Sequence, residues 1–291
     1  MQNKILILGD IVIDIVINVP YLPQSGKDVN GQFQSYNVGG SAFNVYGALK
    51  YTGATSDLLV PIGKGPYANI IKKVFSKKRI PILVKDKPED NGRDLCLIEP
   101  NGQRTFINLQ GINQLWSSSW FKKINLYNYK YFYISGYGIE NQKSAQIIFK
   151  QLKKRRKDSY ILFDASPRIK HINFKIINDL LKQNTLVHCN QDELKYLSNK
   201  TTFNEKIFDI YQKTKSPVIV TLGAKGTLVY DNLGKRIIKA KHVDVINTIG
   251  AGDTHCGGVL NGLQQGMNID EAIKLGNRLS SKVIRQESGS L

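Results

Sequence analysis

What this 291-residue chain lacks already narrows the classes of protein it can belong to. Its three cysteines, Cys96, Cys189 and Cys256, are widely spaced and form no CxxC pair, which argues against a zinc site and a disulfide framework. No stretch approaches the roughly 20 apolar residues of a membrane span. The sequence has no Walker A motif, and no GxGxxG follows its first apolar run, which disfavours a dinucleotide-dependent oxidoreductase.

The first apolar run superficially resembles a short signal peptide. Gly9 and Asp10 interrupt it, Asp14 lies inside its continuation, and no small-residue cleavage site follows. We therefore expect a buried first strand in a cytoplasmic protein with no membrane partner.

Acidic residues are scarce relative to basic ones. The chain has 41 Lys and Arg against 23 Asp and Glu, a formal net charge of +18. Such a charge favours anionic partners, either nucleic acid or substrates such as ATP. The basic residues are spread along the chain, and their densest run, Lys153–Lys157, ends a predicted helix, where cations are favourable. We expect a solvated basic face and do not expect nucleic acid as a partner.

Strand-like apolar runs alternate with amphipathic segments along most of the chain. The alternation predicts an α/β fold with a mostly parallel central sheet and helices on both faces. The predicted strands include Ile5–Val19, as one bent strand or a pair, Ile80–Lys85 and Lys241–Ile246. The predicted helices include Asn173–Gln183 and Asp192–Ser198.

Two regions, at about residues 15–38 and 92–110, break this alternation with short strands. Residues 94–100 and 103–109 flank Asn101-Gly102, which is a strong signal for a two-residue type I′ hairpin turn. Together with residues 29–38 they predict three strands of a small β lid over the carboxyl ends of the core strands. We expect residues 1–291 to form a single domain that includes this lid.

The most informative pattern is the run of small residues Gly250, Ala251 and Gly252, followed by Asp253 at the start of a predicted helix. Small residues let backbone N–H groups approach an anion, and a helix N-terminus favours negative charge. A carboxylate in this turn suits a general base that takes a proton from a hydroxyl while the amides stabilise a transferring phosphoryl group. The alternative is a tight turn with an Asp N-cap.

A second set of residues suits a polyhydroxylated ligand. Asp14 lies in an apolar strand, where an acidic residue is unexpected without partners. Gly39 and Gly40 allow the backbone to turn tightly against a ligand, and Asn44 follows one turn into the next predicted helix. The alternative for Asn44 is a helix-capping or buried amide.

A third set follows two later strands. Asn190 and Glu193 suit a hydrated Mg²⁺, which keeps much of its water shell when it bridges phosphates. They also suit a helix capping box, and the two roles are compatible. Thr221, Gly223 and Gly226 suit a turn that contacts a nucleotide, although Gly-x-x-Gly alone is a weak signal.

These motifs together resemble those of the PfkB carbohydrate kinases, whose fold is called ribokinase-like. Residues 39–44 resemble the first family signature and residues 250–258 the second. Residues 134–137 and 190–193 resemble further family blocks in the same order, so the resemblance spans nearly the whole chain. An uncharacterised bacterial sugar kinase of this family is similar in residues 90–92, 99–100 and 248–253. The resemblance implies a three-layer α/β/α fold with ATP and Mg²⁺ as cofactors.

The resemblance also implies a role for each motif. On the acceptor side, Asp253 is the base, the Gly250–Gly252 amides form the anion hole, and the sugar is bound by Asp14, Gly40 and Asn44. On the nucleotide side, Asn190 and Glu193 organise Mg²⁺ and phosphate, and ATP is contacted by Thr221, Gly223 and Gly226, with Asn277 near the adenine.

Two departures from the family pattern affect these expectations. Asn247 stands where relatives usually have an Asp that helps to bind an activating monovalent cation, so activation by K⁺ is doubtful here. The chain ends at Leu291, soon after Ser288 and Gly289, where relatives usually continue, and we expect either a more open nucleotide pocket or the absence of a terminal helix.

The favoured function is an ATP-dependent kinase that phosphorylates a hydroxymethyl group of a sugar. The alternative is a nucleoside or pseudouridine kinase, with Phe33 and Tyr36 of the lid as candidate stacking partners for a base. A third hypothesis is a non-catalytic, basic or nucleic-acid-binding protein with a kinase fold. A projecting lid is also compatible with a homodimer formed through it.

Overall fold

A central β-sheet covered on both faces by helices forms most of the protein. The computed structural model describes residues 3–84, 88–182, 184–286 and 289–291. The described residues form the strands β1 Lys4–Leu8, β2 Val12–Asn18, β3 Gln32–Gly39, β4 Ser56–Leu59, β5 Arg93–Ile98, β6 Arg104–Leu109, β7 Tyr129–Ser135, β8 Tyr160–Asp164, β9 Thr185–Asn190, β10 Val218–Thr221, β11 Thr227–Asp231 and β12 Gly234–Ile238. The helices are α1 Ser41–Tyr51, α2 Pro66–Lys77, α3 Gly136–Ile139, α4 Gln142–Leu152, α5 Phe174–Leu181, α6 Phe203–Thr214, α7 Ala251–Gln264 and α8 Ile269–Val283.

The central sheet has eight strands in the order β12-β11-β10-β9-β8-β7-β1-β4. The pairs from β10 to β4 are parallel, and β11 and β12 join them as an antiparallel edge. Parallel strands need both faces covered, and their near-continuous apolar sequences, such as Ile5–Leu8 in β1, are buried accordingly. One face packs against α4, α5 and α6, and the other against α1, α2, α7 and α8. The predicted three-layer α/β/α fold is therefore confirmed.

The lid is a separate four-stranded sheet in the order β3-β2-β5-β6. The sequence assigned three strands to the lid and left Ile5–Val19 open as one bent strand or a pair; the structure has the pair. The chain leaves the central sheet after Leu8 and re-enters as β2 at Val12, so the run is shared between two sheets.

The predicted lid hairpin between β5 and β6 is present, with a different turn. Gly102 donates its N–H to Glu99 at 2.8 Å, and Glu99 donates to Gln103 at 3.0 Å, which leaves a three-residue loop with Gly102 at a positive φ of 81°. Pro100 fixes φ near −65° and so prevents the type I′ turn that Asn101-Gly102 alone would favour.

Three other predictions of local structure were wrong. In the part of Ile80–Lys85 that the structure describes, only Val84 forms a bridge, to Pro61, and Ile80 instead donates to Phe75 at the end of α2. The segment Lys241–Ile246 forms no strand, and the sheet ends at β12 before it. The helix Asp192–Ser198 is a single 3-10 turn, Glu193–Tyr196. Lys85, Gln183 and Ser288 lie outside the described residues.

None of the helices in the described segments is long and apolar enough to cross a membrane.

Candidate active site

Two cavities meet at the carboxyl ends of the parallel strands, where ligands bind in open α/β sheets. The first, of about 750 Å³, lies under the lid and is lined by residues that include Asp14, Gly39 and Asn44. The second, of about 670 Å³, lies beside the start of α7 and is lined by Ala251 and Gly252. The turn that begins α7 therefore adjoins both cavities, since Ile249 lines the first. We call them the acceptor cavity and the nucleotide cavity.

The turn before α7 requires glycine at one position and leaves open space at another. Gly250 has a φ of 72°, and a Cβ there would lie 1.8 Å from the carbonyl oxygen of Gly289. A Cβ at Gly252 would meet nothing within 4 Å. Backbone N–H groups in the first turn of a helix have no acceptor inside the helix. The N–H of Gly252 is such a group, next to the nucleotide cavity, whereas that of Ala251 is directed to Thr248 at 3.3 Å.

Asp253 is not the N-cap of α7, so the capping part of the structural alternative for this motif is wrong. The N-cap is Gly250, which supplies no side chain. The Asp253 Oδ2 atom instead accepts a hydrogen bond of 2.9 Å from Asn44 Nδ2 of α1. Burial, followed by the negative charge of Asp164, raises the pKa of Asp253 well above its usual range, while the Asn44 hydrogen bond opposes this rise. A raised pKa suits a carboxylate that accepts a proton during catalysis.

Asp14 lines the acceptor cavity and lies close to other carboxylates. Asp14 pairs with Asp94 across β2 and β5. Burial, with the charges of Asp94 and Asp10, raises the pKa of Asp14 to about 7, while Arg104 opposes the rise. A Cβ on Gly39 would lie 2.3 Å from Asp14 Oδ2, so the glycine makes room for this side chain. Three of the predicted acceptor residues, Asp14, Gly39 and Asn44, thus line one cavity. Gly40 is not among its lining residues; it has a φ of 103° and packs against the backbone of Asp10.

The predicted nucleotide residues also lie together. The nucleotide cavity is lined by Asn190, Thr221, Gly223, Gly226 and Asn277. Gly223 and Gly226 both have positive φ, at 61° and 96°, so each occupies a conformation that favours glycine. Strands β9 and β10 end side by side, which brings these turns together.

Asn190 and Glu193 form the capping box that the sequence predicted as one of two compatible roles, the other being a site for hydrated Mg²⁺. Asn190 Oδ1 accepts from the backbone N–H of Asp192 and of Glu193, both at 2.9 Å, and Glu193 Oε2 accepts from the Asn190 N–H at 2.9 Å. Burial, followed by the charge of Asp164, raises the pKa of Glu193 to about 7. Since these atoms already accept hydrogen bonds, the pair fits contact with Mg²⁺ through water better than direct coordination.

Asn247, at the position of the family's cation-linked Asp, is buried, and its Oδ1 accepts from the Ile249 N–H at 3.0 Å. Its amide therefore stabilises the turn that precedes α7.

Sequence reasoning missed several polar residues of this region. Asp10 is buried and accepts a 2.9 Å hydrogen bond from Ser41 Oγ. Asp164 and His188 are buried and 2.7 Å apart. An acidic residue in an apolar strand, the signal that marked Asp14, was also present at Asp10 and Asp164. Arg104 lines the acceptor cavity from the lid, and nothing in its local sequence marked it.

Asn91 was also missed as an anchor of the lid. Its side chain is buried, donates to the carbonyl oxygens of Ile11 and Pro61, and accepts from the Gly63 N–H. It therefore ties the start of β5 to the crossing between β1 and β2 and to the loop between β4 and α2.

Comparison with known proteins agrees with this geometry. The sequence model described as pfkB family carbohydrate kinase matches residues 2–291. The chain belongs to the PfkB family. This PfkB kinase is 30% identical to an uncharacterised sugar kinase, YegV, of Escherichia coli, over 99% of the chain and 90% of that protein. It is 25% identical to a ribokinase of Haemophilus influenzae, over 95% and 90%, and 23% identical to a nucleoside kinase of Methanocaldococcus jannaschii, over 97% and 91%.

A solved ribokinase structure from Thermotoga maritima has the same fold, with a TM-score of 0.83 at 20% identity over 99% of this chain and 95% of the other. The protein is thus a sugar or nucleoside kinase of the PfkB family with a ribokinase-like fold.

Proposed function

We propose that this PfkB kinase transfers the γ-phosphoryl group of ATP to a hydroxymethyl group of a sugar. The observation that carries the proposal is the 2.9 Å hydrogen bond between Asn44 and Asp253. Asn44 lines the acceptor cavity, and the turn that holds Asp253 lines the nucleotide cavity. An acceptor hydroxyl and a γ-phosphate bound on the two sides would therefore meet beside this carboxylate.

In the proposed reaction, the hydroxyl oxygen attacks the γ-phosphorus while the bond from that phosphorus to the β-phosphate oxygen of ATP breaks. Asp253 takes the hydroxyl proton, and ADP leaves with the bond's electron pair. The N–H groups of the Gly250–Gly252 turn, with Gly252 the most open of them, stabilise the charge on the transferring group.

Recognition of the acceptor rests on groups that accept hydrogen bonds from hydroxyls or donate hydrogen bonds to them. At the cavity wall, Asp14 provides carboxylate oxygens, Asn44 an amide, and Gly39 backbone polar groups. Because the pKa of Asp14 is about 7, its ionised form is populated near neutral pH. The ionised carboxylate can accept hydrogen bonds from two hydroxyl groups.

On the nucleotide side, Thr221, Gly223, Gly226 and Asn277 form the cavity wall for ATP. Mg²⁺, held through water by Asn190 and Glu193, would neutralise phosphate charge. We propose no monovalent cation, since Asn247 lacks a carboxylate.

A nucleoside or pseudouridine acceptor is the second candidate, favoured by two aromatic residues. Tyr36 and Phe106 of the lid line the acceptor cavity and are about half exposed, so either ring can stack on a base. Phe33 contacts Tyr36, with ring centroids 4.8 Å apart, and supports it from the side. Exposed apolar residues on the lid, among them Ile107 and Leu109, are also compatible with a homodimer formed through it.

The test is a screen of free sugars and nucleosides with Mg–ATP, with products identified by mass spectrometry. The proposal expects one phosphate added to a hydroxymethyl group of a sugar. Phosphorylation of nucleosides alone would select the second candidate. Failure to bind Mg–ATP in calorimetry, combined with salt-resistant RNA binding, would favour the third hypothesis, a non-catalytic protein.

A further inference from the structure

Two positively charged side chains line the acceptor cavity, and the proposed phosphoryl transfer uses neither of them. Arg104 of β6 reaches the cavity from the lid, and Lys78 reaches it from the residue that follows α2. Among the described residues that line this cavity, Asp14 is the only carboxylate. Formal positive charge therefore exceeds negative charge at the wall of a cavity that receives the acceptor.

The register of the lid strands places Arg104 at the far end of the acceptor cavity. Strand β3 leads directly into α1, which carries Asn44, and Asp14 of β2 is paired with β3 near that end. Arg104 instead pairs with Ile98 of β5, and Ile98 pairs with Asn18 of β2. Asn18 lies four residues beyond Asp14, which is roughly 14 Å along a strand that rises about 3.4 Å per residue. The backbone of Arg104 is therefore remote from Asn44 and the base.

The Arg104 side chain extends from this end toward the middle of the cavity. Burial raises the pKa of both Asp14 and Cys96, and the positive charge of Arg104 opposes the rise at each of them. Cys96 lies between Arg104 and Asp14 in the lid, since it pairs with the residue two positions after Asp14. The effect of a charge falls off with distance, so the guanidinium group lies within reach of both side chains. One ligand can therefore contact Asp14 and Arg104 together.

The two cations are not neutralised by the protein at ion-pair distance. Within the part of the chain that the structure describes, no ion pair involves Arg104 or Lys78. Lys78 lies with its Nζ atom 5.6 Å from the centre of the Phe43 ring, which also lines the cavity. Arg104 is partly buried, whereas the last four residues of β6 are exposed. A guanidinium group has several N–H donors and no acceptor, so water or a ligand must accept these hydrogen bonds.

We propose that the acceptor is an acidic sugar, one that carries a carboxylate or a phosphate group, and that Arg104 selects it by binding this group at the end of the cavity away from Asp253. The inference rests on the proposed sugar kinase function and names its substrate class. The planar guanidinium group can donate two parallel hydrogen bonds to a carboxylate or a phosphate, and Lys78 adds a second positive charge. The hydroxyls of the same ligand would bind to Asp14, with the hydroxymethyl group at the opposite end facing Asp253.

The same contacts would act against a neutral sugar. A neutral ligand that fills the cavity removes water from the Arg104 guanidinium and replaces it with neutral acceptors, whose hydrogen bonds are weaker than those of an anion. An acidic sugar replaces the lost water with a charged partner. A site whose polar groups are satisfied by one ligand and left unsatisfied by its analogue discriminates strongly between the two. Arg104 would therefore determine specificity as well as affinity.

The first test compares acceptors that share one hydroxymethyl group and differ in charge. Glucose, gluconate and glucose 1-phosphate form such a set, and the screen of free sugars is extended with the corresponding acid and 1-phosphate of each sugar. We expect kcat/KM with Mg–ATP to be about tenfold or more higher for an acidic acceptor than for its neutral parent. Preference for the sugar acid identifies a carboxylate, and preference for the 1-phosphate identifies a phosphate.

The result also separates this inference from the function on which it rests. Equal or better turnover of the neutral sugars would overturn the acidic acceptor and leave the sugar kinase intact. Phosphorylation of nucleosides alone would overturn both.

The second test replaces Arg104 and a control arginine of the lid. Arg93 of β5 is the matched control, because its guanidinium lies 5.0 Å from the centre of the Tyr67 ring and it is not among the residues that line the acceptor cavity. In Arg104→Gln, kcat/KM for the acidic acceptor should fall about 10- to 100-fold, with a change of less than about twofold for the neutral parent. Arg104→Lys should lie between, since it keeps the charge and loses the planar pair of donors. Arg93→Gln should preserve the preference.

Two results in folded variants, as judged by thermal unfolding, would contradict the role of Arg104. An equal fall in kcat for acidic and neutral acceptors in Arg104→Gln would assign the residue to phosphoryl transfer. An unchanged preference for the acidic acceptor in Arg104→Gln would show that Arg104 does not bind its anionic group.

Discussion

Asn44 of α1 and Asp253 of α7 lie 209 residues apart in sequence and are joined by a hydrogen bond of 2.9 Å from amide to carboxylate. This bond connects the acceptor cavity to the turn beside the nucleotide cavity. It also stabilises the ionised form of Asp253 against a pKa rise caused mainly by burial. The pair therefore combines acceptor binding with control of the base.

Replacing Asn44 by Leu should lower kcat/KM for the acceptor and change the pKa of the base, Asp253, without changing the binding of ATP. The loss of a hydrogen bond to a charged group predicts a fall of about 10- to 100-fold in kcat/KM for the acceptor. Because the bond favours the ionised carboxylate, its removal raises the pKa of Asp253 and moves the acid limb to higher pH. Steady-state kinetics against pH measures both effects, and Asn37→Ala, also at the cavity wall, is the matched control. An acid limb that stays in place in Asn44→Leu would show that Asn44 does not control the pKa of Asp253.

Gly250 and Gly252 should respond differently to alanine. At Gly252 a Cβ has open space toward the nucleotide cavity, so Gly252→Ala should keep the melting temperature while weakening Mg–ATP binding and turnover. Gly250→Ala forces a left-handed φ and a clash with Gly289, so it should lower the free energy of unfolding by about 1–3 kcal/mol. Thermal unfolding and calorimetry with Mg–ATP distinguish the two. Equal loss of stability in both variants would contradict an open anion site.

Acceptor affinity should depend on pH through Asp14. Its pKa of about 7 means that the carboxylate is protonated below neutral pH and ionised above it. Since the ionised form accepts hydrogen bonds from hydroxyl groups, the KM for the acceptor should fall as pH rises through 7. Arg104 lowers this pKa, so Arg104→Leu should shift the dependence to higher pH. If acceptor KM is flat between pH 6 and pH 8 (values set about one unit either side of that pKa), Asp14 does not bind the acceptor as an ion.

Gly258, in the second signature, should be structural. A Cβ there would lie 2.6 Å from Cα of Gly276, where α7 packs against α8. Gly258→Ala should therefore lower stability by about 1–3 kcal/mol through overpacking. Residual enzyme should keep its KM values, as steady-state kinetics below the melting temperature can show. A large change in the KM for ATP at unchanged stability would instead assign Gly258 to the nucleotide site.

Local motifs were predictable from the sequence because their geometry is local. The turn at Gly250–Gly252, the Gly39-Gly40 pair and the Asn190–Glu193 box each fit within one or two turns of backbone. Of the three, only the Asn190–Glu193 box follows a parallel strand of the central sheet, β9; the glycine pair follows the lid strand β3, and the turn before α7 follows a segment that forms no strand.

Contacts that depend on register between distant strands were not predictable. Asp164, His188 and His255 meet only because β8, β9 and α7 pack together, at sequence separations of 24 and 67 residues. Composition also gave a wrong prediction at Lys241–Ile246, because its β-branched residues favour a strand and the segment forms none. Val245 and Ile246 are instead 56% and 65% exposed.

Turnover of Asp253→Asn tests the central claim most directly. Loss of a positioned general base predicts a fall of about 10²–10⁴-fold in kcat. The amide removes an unfavourably buried charge, so the melting temperature at neutral pH should not fall. Asp158→Asn, an exposed acid-to-amide change in the loop before β8, should leave kcat unchanged. Unchanged turnover in a folded Asp253→Asn protein would contradict the assignment of the base and, with it, the proposed mechanism.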